Sequence, residues 1–87
     1  MDTSSLPTHM INGLELYFYD GILPGSFLTA VLENNLVYSF ARADMINKAA
    51  MENWACFLHW EMPSGSWGSP EKVAAWCEAR QVSPIPH

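Results

Sequence analysis

The chain has 87 residues, of which 49% are hydrophobic and 15% charged, and its formal net charge is −5. So few basic residues argue against non-specific binding of DNA or RNA, which requires several phosphate contacts. The length fits a single domain, residues 1–87, and no apolar run reaches the length of a membrane span. Because the first residues lack a basic, apolar leader pattern, we expect no signal peptide and a cytoplasmic protein without a membrane partner.

The first predicted element is a helix. Residues 1–7 are polar and are expected to form a flexible tail, with Thr8 as the cap of a helix from about His9 to Asp20. A strand over residues 14–19 is the alternative, but no second convincing strand exists to pair with it. Gly21 is expected to end the helix in the left-handed conformation.

A second helix is expected to begin at Ser26, a good N-cap residue. The polar run Glu33–Asn35 either ends this helix or marks its exposed side. Residues 36–40 are apolar again and lead into the next element. The sequence leaves open whether residues 26–62 form one kinked helix or two.

The longest predicted helix spans Arg42 to Met62, which contains no Gly or Pro. One of its faces is apolar at helical spacing and carries Ile46, Ala50, Trp54, Phe57 and Leu58. A weaker second face carries Met45, Ala49, Cys56 and Trp60. A helix that is apolar on two sides must be covered on two sides, so we expect it to be central, with other helices or a second subunit around it.

A loop rich in Gly and Ser follows at residues 63–70, and the last helix is expected to run from the Ser69 cap to about Gln81. Residues 83–87 are expected to be a second flexible tail. The fold class is therefore all-α: a small bundle of three to four helices around one long central helix. The low charge and eleven aromatic residues also favour a homo-oligomer.

The loop around Trp67 is the most specific candidate site. Backbone N–H groups at the helix start, near Ser69, could hold a phosphate or carboxylate, and Trp67 could stack on a base. The carboxylate of Glu71, in the first turn of this helix, already interacts with the positive end of the helix dipole, which weighs against the binding of a further anion there. The alternative is that Trp67 packs onto the core and the glycines only permit the turn.

A second candidate cluster lies at the start of the long helix, where Arg42 and Asn47 stand near Asp44 and Lys48. In a nucleotide site, Arg42 would hold phosphate and Tyr38 would stack on the base. The alternative is an ordinary helix end that is solvated or paired locally, for example Asp44 with Lys48.

No catalytic or metal-binding motif is present, so we expect a protein that is not an enzyme and has no cofactor. Cys56 and Cys77 lack the spacing of a metal site and are expected to be buried free thiols. His9 and His59 could act as acid–base groups, but no clear acidic partner accompanies His59 in the sequence.

Three runs resemble a family of small proteins encoded by tailed phages and prophages: HMINGLELYFYDGILPGSFLTAVLENNL, FARAD and PSGSWGSPEKVAAW. The more specific patterns within them are G-I-x-P-G-S-F-L-x-A-V-L-x-N and W-G-S-P-E-x-V. The resemblance implies a phage-derived protein in the cytoplasm of a bacterial host. It implies no particular activity and no functional residues.

Small phage proteins without enzymatic motifs often counteract host defence, so we expect a non-enzymatic anti-defence protein. One version is an oligomeric sponge that sequesters a nucleotide-type immune signal, with Trp67, Ser69, Arg42, Asn47 and Tyr38 as ligand-binding residues. The alternative is an inhibitor or adaptor that binds a host defence protein through an acidic, aromatic surface.

Overall fold

The computed structural model describes residues 2–81, and these form helices with no strand among them. In chain order the helices are α1 (Thr8–Asp20), α2 (Ser26–Leu32), α3 (Leu36–Arg42), α4 (Met45–Ala49), α5 (Met51–Glu61) and α6 (Pro70–Gln81). The all-α prediction is confirmed for the described part of the chain. Thr8 and Ser26, expected as caps, are instead the first helical residues after Pro7 and Gly25.

The segment Arg42 to Met62, predicted to be one helix, is divided by two interruptions. The backbone is extended at Ala43. The Asp44 carboxylate then accepts a 2.7 Å hydrogen bond from the N–H of Asn47, and this capping bond marks the start of α4. At Ala50 the backbone leaves the helical region (φ −98°, ψ 9°), where α4 ends and α5 begins. A single long helix is therefore not what the chain forms. The absence of Gly and Pro permits one, but a capping carboxylate offers the backbone an alternative.

The polar run before α3 is a true break. Asn34 adopts a left-handed conformation (φ 63°), which Asn tolerates better than most residues. The side-chain oxygen of Asn35 then accepts a 3.1 Å hydrogen bond from the N–H of Tyr38 and caps α3. Residues 26–62 thus form four short helices, rather than one kinked helix or two.

The ends of α1 and α6 are joined by hydrogen bonds. Gly21 (φ 67°) ends α1 as predicted, and its N–H donates to the carbonyl of Tyr17 at 3.0 Å. The indole N–H of Trp76 donates to the same carbonyl at 3.2 Å, and Nε of Arg80 donates to the carbonyl of Phe18 at 2.7 Å. Side chains of α6 therefore donate to two carbonyls in the last turn of α1, where helix carbonyls lack partners within the helix.

The helices share one cluster of buried apolar side chains, to which α1, α2, α5 and α6 contribute. The predicted core face is confirmed at Trp54, Phe57 and Leu58, which are all buried. Ile46, assigned to the same face, is 61% exposed, because the interruption at Ala50 separates α4 from α5. All four residues of the second face, which was expected to be covered, are exposed in the structure: Met45, Ala49, Cys56 and Trp60.

The first described residues contact α5. Leu6 is buried in the core, and the carbonyl of Ser5 accepts a 3.1 Å hydrogen bond from the amide of Asn53. The N–H of Asp2 donates to Glu61 at 2.8 Å. The tail predicted at residues 83–87 lies outside the described residues. Within residues 2–81, no helix combines the length and the hydropathy needed to cross a bilayer.

Candidate functional site

The loop that carries Trp67 is fixed to the helices on both sides of that residue. Before it, Ser66 is buried, and its carbonyl accepts a hydrogen bond from the hydroxyl of Tyr17. After it, the N–H of Gly68 donates to the carbonyl of Leu32 at 2.8 Å. The Trp67 ring is half-buried and packs against the core cluster. These contacts favour the packing role for Trp67 that the sequence left as an alternative.

The start of α6 is capped from within the chain. The hydroxyl of Ser69 accepts a 3.2 Å hydrogen bond from the N–H of Lys72, as the sequence predicts for an N-cap. The ammonium group of Lys72 donates to the carbonyl of Ser64 at 3.3 Å. The hydroxyl and ammonium groups closest to the expected anion site are thus engaged in the loop. Ligand binding at Trp67 and Ser69 stays a prediction.

Asn47 lies in the interior. Its side-chain oxygen accepts a 3.1 Å hydrogen bond from the indole N–H of Trp54, and both side chains are buried. An amide oxygen in this position serves the packing of α4 against α5. A ligand could reach Asn47 only if these helices moved apart.

Tyr38 and Arg42 lie together, as a nucleotide site would require. The Arg42 guanidinium stands over the Tyr38 ring, 5.3 Å from its centroid, an ordinary cation–π distance. Both residues line an open cleft of about 350 Å³ between α3 and the beginning of α2. The other residues lining this cleft are Leu23, Pro24, Ser26, Thr29, Ala30 and Glu33. The structure therefore brings Tyr38 and Arg42 together in this cleft, whereas Trp67, Ser69 and Asn47 do not line it.

A different aromatic residue, Trp60, is the most exposed of the described tryptophans, with 76% of its surface accessible. It lies beside a shallow cavity of about 160 Å³, and the ring of His59 contacts it edge to face. We call this the Trp60 surface; the residues lining the cavity are Asp2, Ser5, Cys56, Phe57, Trp60 and Glu61.

The Trp60 surface is acidic. It carries the carboxylates of Asp2 and Glu61. The Glu61 carboxylate accepts the hydrogen bond from the backbone N–H of Asp2, and the N–H of Ser4 donates to the Asp2 carboxylate and lowers its pKa. Trp60 stands next to Glu61 in the sequence, but helical spacing places Trp60 on a face expected to be covered. For this reason Trp60 is not among the predicted site residues.

A second apolar region is exposed along α3. We call it the α3 surface; its members are Leu36, Val37, Tyr38 and Phe40, and Val37 is the most exposed at 79%. Only Ser39 of this helix is buried. Between α3 and α5 runs an apolar groove of about 280 Å³, whose walls include Phe40, Met51 and Leu58. This helix therefore projects as a ridge beside a groove.

Away from these surfaces, His9 and Asp44 form a hydrogen-bonded pair. His9 pairs with Asp44 at 3.0 Å, and the N–H of Asn47, followed by this histidine, lowers the pKa of the Asp44 carboxyl. This pairing differs from the expected one between Asp44 and Lys48. No group of three or more potential metal ligands is found within residues 2–81.

Both cysteines are free thiols. Cys56 is exposed, which corrects the expectation that it is buried, whereas Cys77 is half-buried and its burial raises its pKa. Neither thiol has an arrangement that would activate it as a nucleophile.

Comparisons of the chain with protein-family models, with curated proteins and with solved structures find no match. The resemblance to small phage proteins therefore stays a prediction.

Proposed function

We propose that the chain is a non-enzymatic binding protein that contacts a partner protein through the Trp60 surface. The single observation that carries this proposal is the exposure of Trp60 beside two carboxylates. Tryptophan is enriched among the residues that dominate protein–protein binding energies, because its large rigid ring buries much area at little entropic cost. A tryptophan left in water beside two carboxylates suits that role.

The charge around Trp60 indicates a partner with a basic contact surface. Asp2 and Glu61 flank the indole, and the whole chain carries a formal charge of −5. Opposite charges would steer the two proteins together and determine their relative orientation. Burial of the indole would then slow dissociation. This combination supports the inhibitor or adaptor alternative, which binds a host protein through an acidic, aromatic surface.

The biological setting comes from the resemblance to small phage proteins. In that setting, the partner is a host defence protein in the bacterial cytoplasm, and the chain counteracts defence by occupying a basic surface that the partner needs. This part of the proposal rests on the resemblance alone.

The experiment is a plating assay in bacteria that each carry one defence system. Expression of the wild-type chain should raise the plating efficiency of a phage that one of these systems restricts, and Trp60→Ala should lose this protection. Because Trp60 is exposed, its truncation should change stability by less than about 0.5 kcal/mol. Tyr19→Ala, which truncates another exposed aromatic residue on α1, is the matched control and should protect fully.

Nucleotide binding is a second candidate function, and it is supported by one observation: Tyr38 and Arg42 line the same cleft. A nucleotide could stack on the ring and place phosphate against the guanidinium. Glu33 lines the same cleft and would repel that phosphate, which makes this candidate the weaker of the two. Thermal unfolding in the presence of cyclic and linear nucleotides tests it, since a ligand that binds only the folded state raises the melting temperature. Arg42→Ala should abolish any such shift.

A further inference from the structure

The α3 surface leaves a row of large apolar side chains in water. Its members, Leu36, Val37, Tyr38 and Phe40, are 43–79% exposed. Taking roughly 200 Å² for a fully exposed large side chain, they leave on the order of 500 Å² in water. The largest apolar patch of a typical monomer covers about 300–600 Å² and is often functional. A standard protein interface covers about 800 Å² on each partner, so the α3 surface supplies more than half of one side of an interface.

The distribution of charge indicates what covers this region. No charged residue occurs between Glu33 and Arg42, so the ridge is neutral in a chain of net charge −5. Two copies of so acidic a chain repel one another, and the repulsion across the contact is smaller where neutral surfaces meet. The α3 surface is therefore the place where a second copy can approach at the least electrostatic cost.

The two ends of the ridge carry opposite charges. Glu33 precedes α3, Arg42 is its last residue, and neither has an ion-pair partner among the described residues. In an antiparallel pairing of two α3 helices with Val37 and Tyr38 at a two-fold axis, the chain position of Glu33 pairs with that of Arg42 of the partner subunit. Two-fold symmetry then places one such pair at each end of the contact.

We propose that the α3 surface binds a second copy of this chain in an antiparallel, two-fold symmetric dimer. Val37 lies at the centre of the contact, where the exposed sides of the two α3 helices pack against each other. Two ion pairs between Glu33 and Arg42 of the partner subunit close the rim. Such an interface is self-complementary, as two-fold symmetry requires. The Trp60 surface is not part of it and stays available for another protein.

Sedimentation equilibrium of the full chain at micromolar concentration tests the dimer. The wild type should have twice the chain mass of 9.8 kDa. Val37→Glu should sediment as a monomer, with a dissociation constant raised by more than about 100-fold, because the symmetry brings two carboxylates into an apolar contact. Ala75→Glu makes the same charge change on an exposed position of α6 and should remain a dimer. A monomeric wild type, a dimeric Val37→Glu or a monomeric Ala75→Glu overturns the proposal.

A charge exchange tests the antiparallel orientation and does not depend on Val37. Glu33→Arg and Arg42→Glu should each weaken the dimer by about tenfold, because each places like charges opposite one another. The double variant should regain the wild-type dissociation constant, since the opposite charges meet again with reversed sign. A double variant that dimerises more weakly than either single variant overturns the antiparallel arrangement.

Discussion

The indole N–H of Trp54 donates a 3.1 Å hydrogen bond to the side-chain oxygen of Asn47, and both residues are buried. This bond crosses the interruption at Ala50 and holds α4 against α5. The buried indole N–H of Trp54 and the buried amide oxygen of Asn47 cannot reach water, and each is the hydrogen-bond partner of the other. It therefore explains why a polar side chain occupies the interior of so small a core.

Asn47→Ala should lower the free energy of unfolding by about 1–3 kcal/mol, because it leaves the buried indole N–H of Trp54 without an acceptor. Urea unfolding followed by circular dichroism measures the change. Asn12→Ala, at an exposed position of α1, is the control and should change stability by less than about 0.5 kcal/mol. Equal midpoints for Asn47→Ala and the wild type would show that this bond does not stabilise the fold.

Truncation of the aromatic core should be far more damaging. Trp54 contacts Phe27 and Phe57 edge to face, with ring centroids 5.9 and 6.4 Å away. Trp54→Ala or Phe57→Ala should cost about 3–5 kcal/mol through lost burial and the cavity that remains. Small domains have little stability in reserve, so we expect both variants to be largely unfolded. A cooperative thermal melt near that of the wild type would contradict the assigned core.

Two glycine substitutions should have opposite effects. Gly21 is left-handed (φ 67°), and an added Cβ would lie 2.7 Å from Cβ of Arg80 and 2.8 Å from the carbonyl oxygen of Cys77. Gly21→Ala should therefore destabilise the protein by more than about 1 kcal/mol, the usual cost of the conformation alone. Gly13, inside α1, has no atom within 4 Å of an added Cβ, and Gly13→Ala should stabilise by about 0.5–1 kcal/mol. Thermal melts that shift in the same direction for both variants would contradict the geometry of this turn.

The buried hydroxyl of Tyr17 should make the protein sensitive to alkali. Burial, reinforced by Cys77, raises the pKa of Tyr17, so the folded state retains a proton that an unfolded tyrosine loses above its pKa of about 10. This contribution to stability is complete below about pH 10 and falls as the pH rises further, by up to about 1.4 kcal/mol per pH unit.

Tyr17→Phe should remove this part of the pH dependence, and it should cost about 1–3 kcal/mol at neutral pH because the buried Ser66 carbonyl loses its donor. The difference in stability between wild type and variant should therefore shrink above about pH 10. Tyr19→Phe changes an exposed hydroxyl and is the control. Denaturant unfolding across this pH range gives the result, and a constant difference would contradict the buried phenol.

Local patterns in the sequence predicted much of the helical framework. The left-handed end of α1 at Gly21 and the capped start of α6 at Ser69 both follow from residue types whose preferences are strong. The buried face of α5 follows from the spacing of Trp54, Phe57 and Leu58. In each case, neighbouring residues carry enough information to specify the structure.

The interruptions of the long helix and the partners of the candidate site residues depend on contacts that the sequence does not show. Asp44 ends the helical run by capping a new helix, although its neighbours are good helix formers. The Trp67 loop is held by Tyr17, which lies about fifty residues away in the chain. Helical spacing assigned Trp60 to a covered face, whereas its exposure depends on which helices pack nearby.

The role of the Trp60 surface is tested most sharply by the plating efficiency of a restricted phage in cells that express Trp60→Ala, at a protein level matched to the wild type. We expect this variant to be folded and dimeric and to give no protection, while the wild type and Tyr19→Ala protect equally. Full protection by Trp60→Ala would contradict the assignment of function to the Trp60 surface.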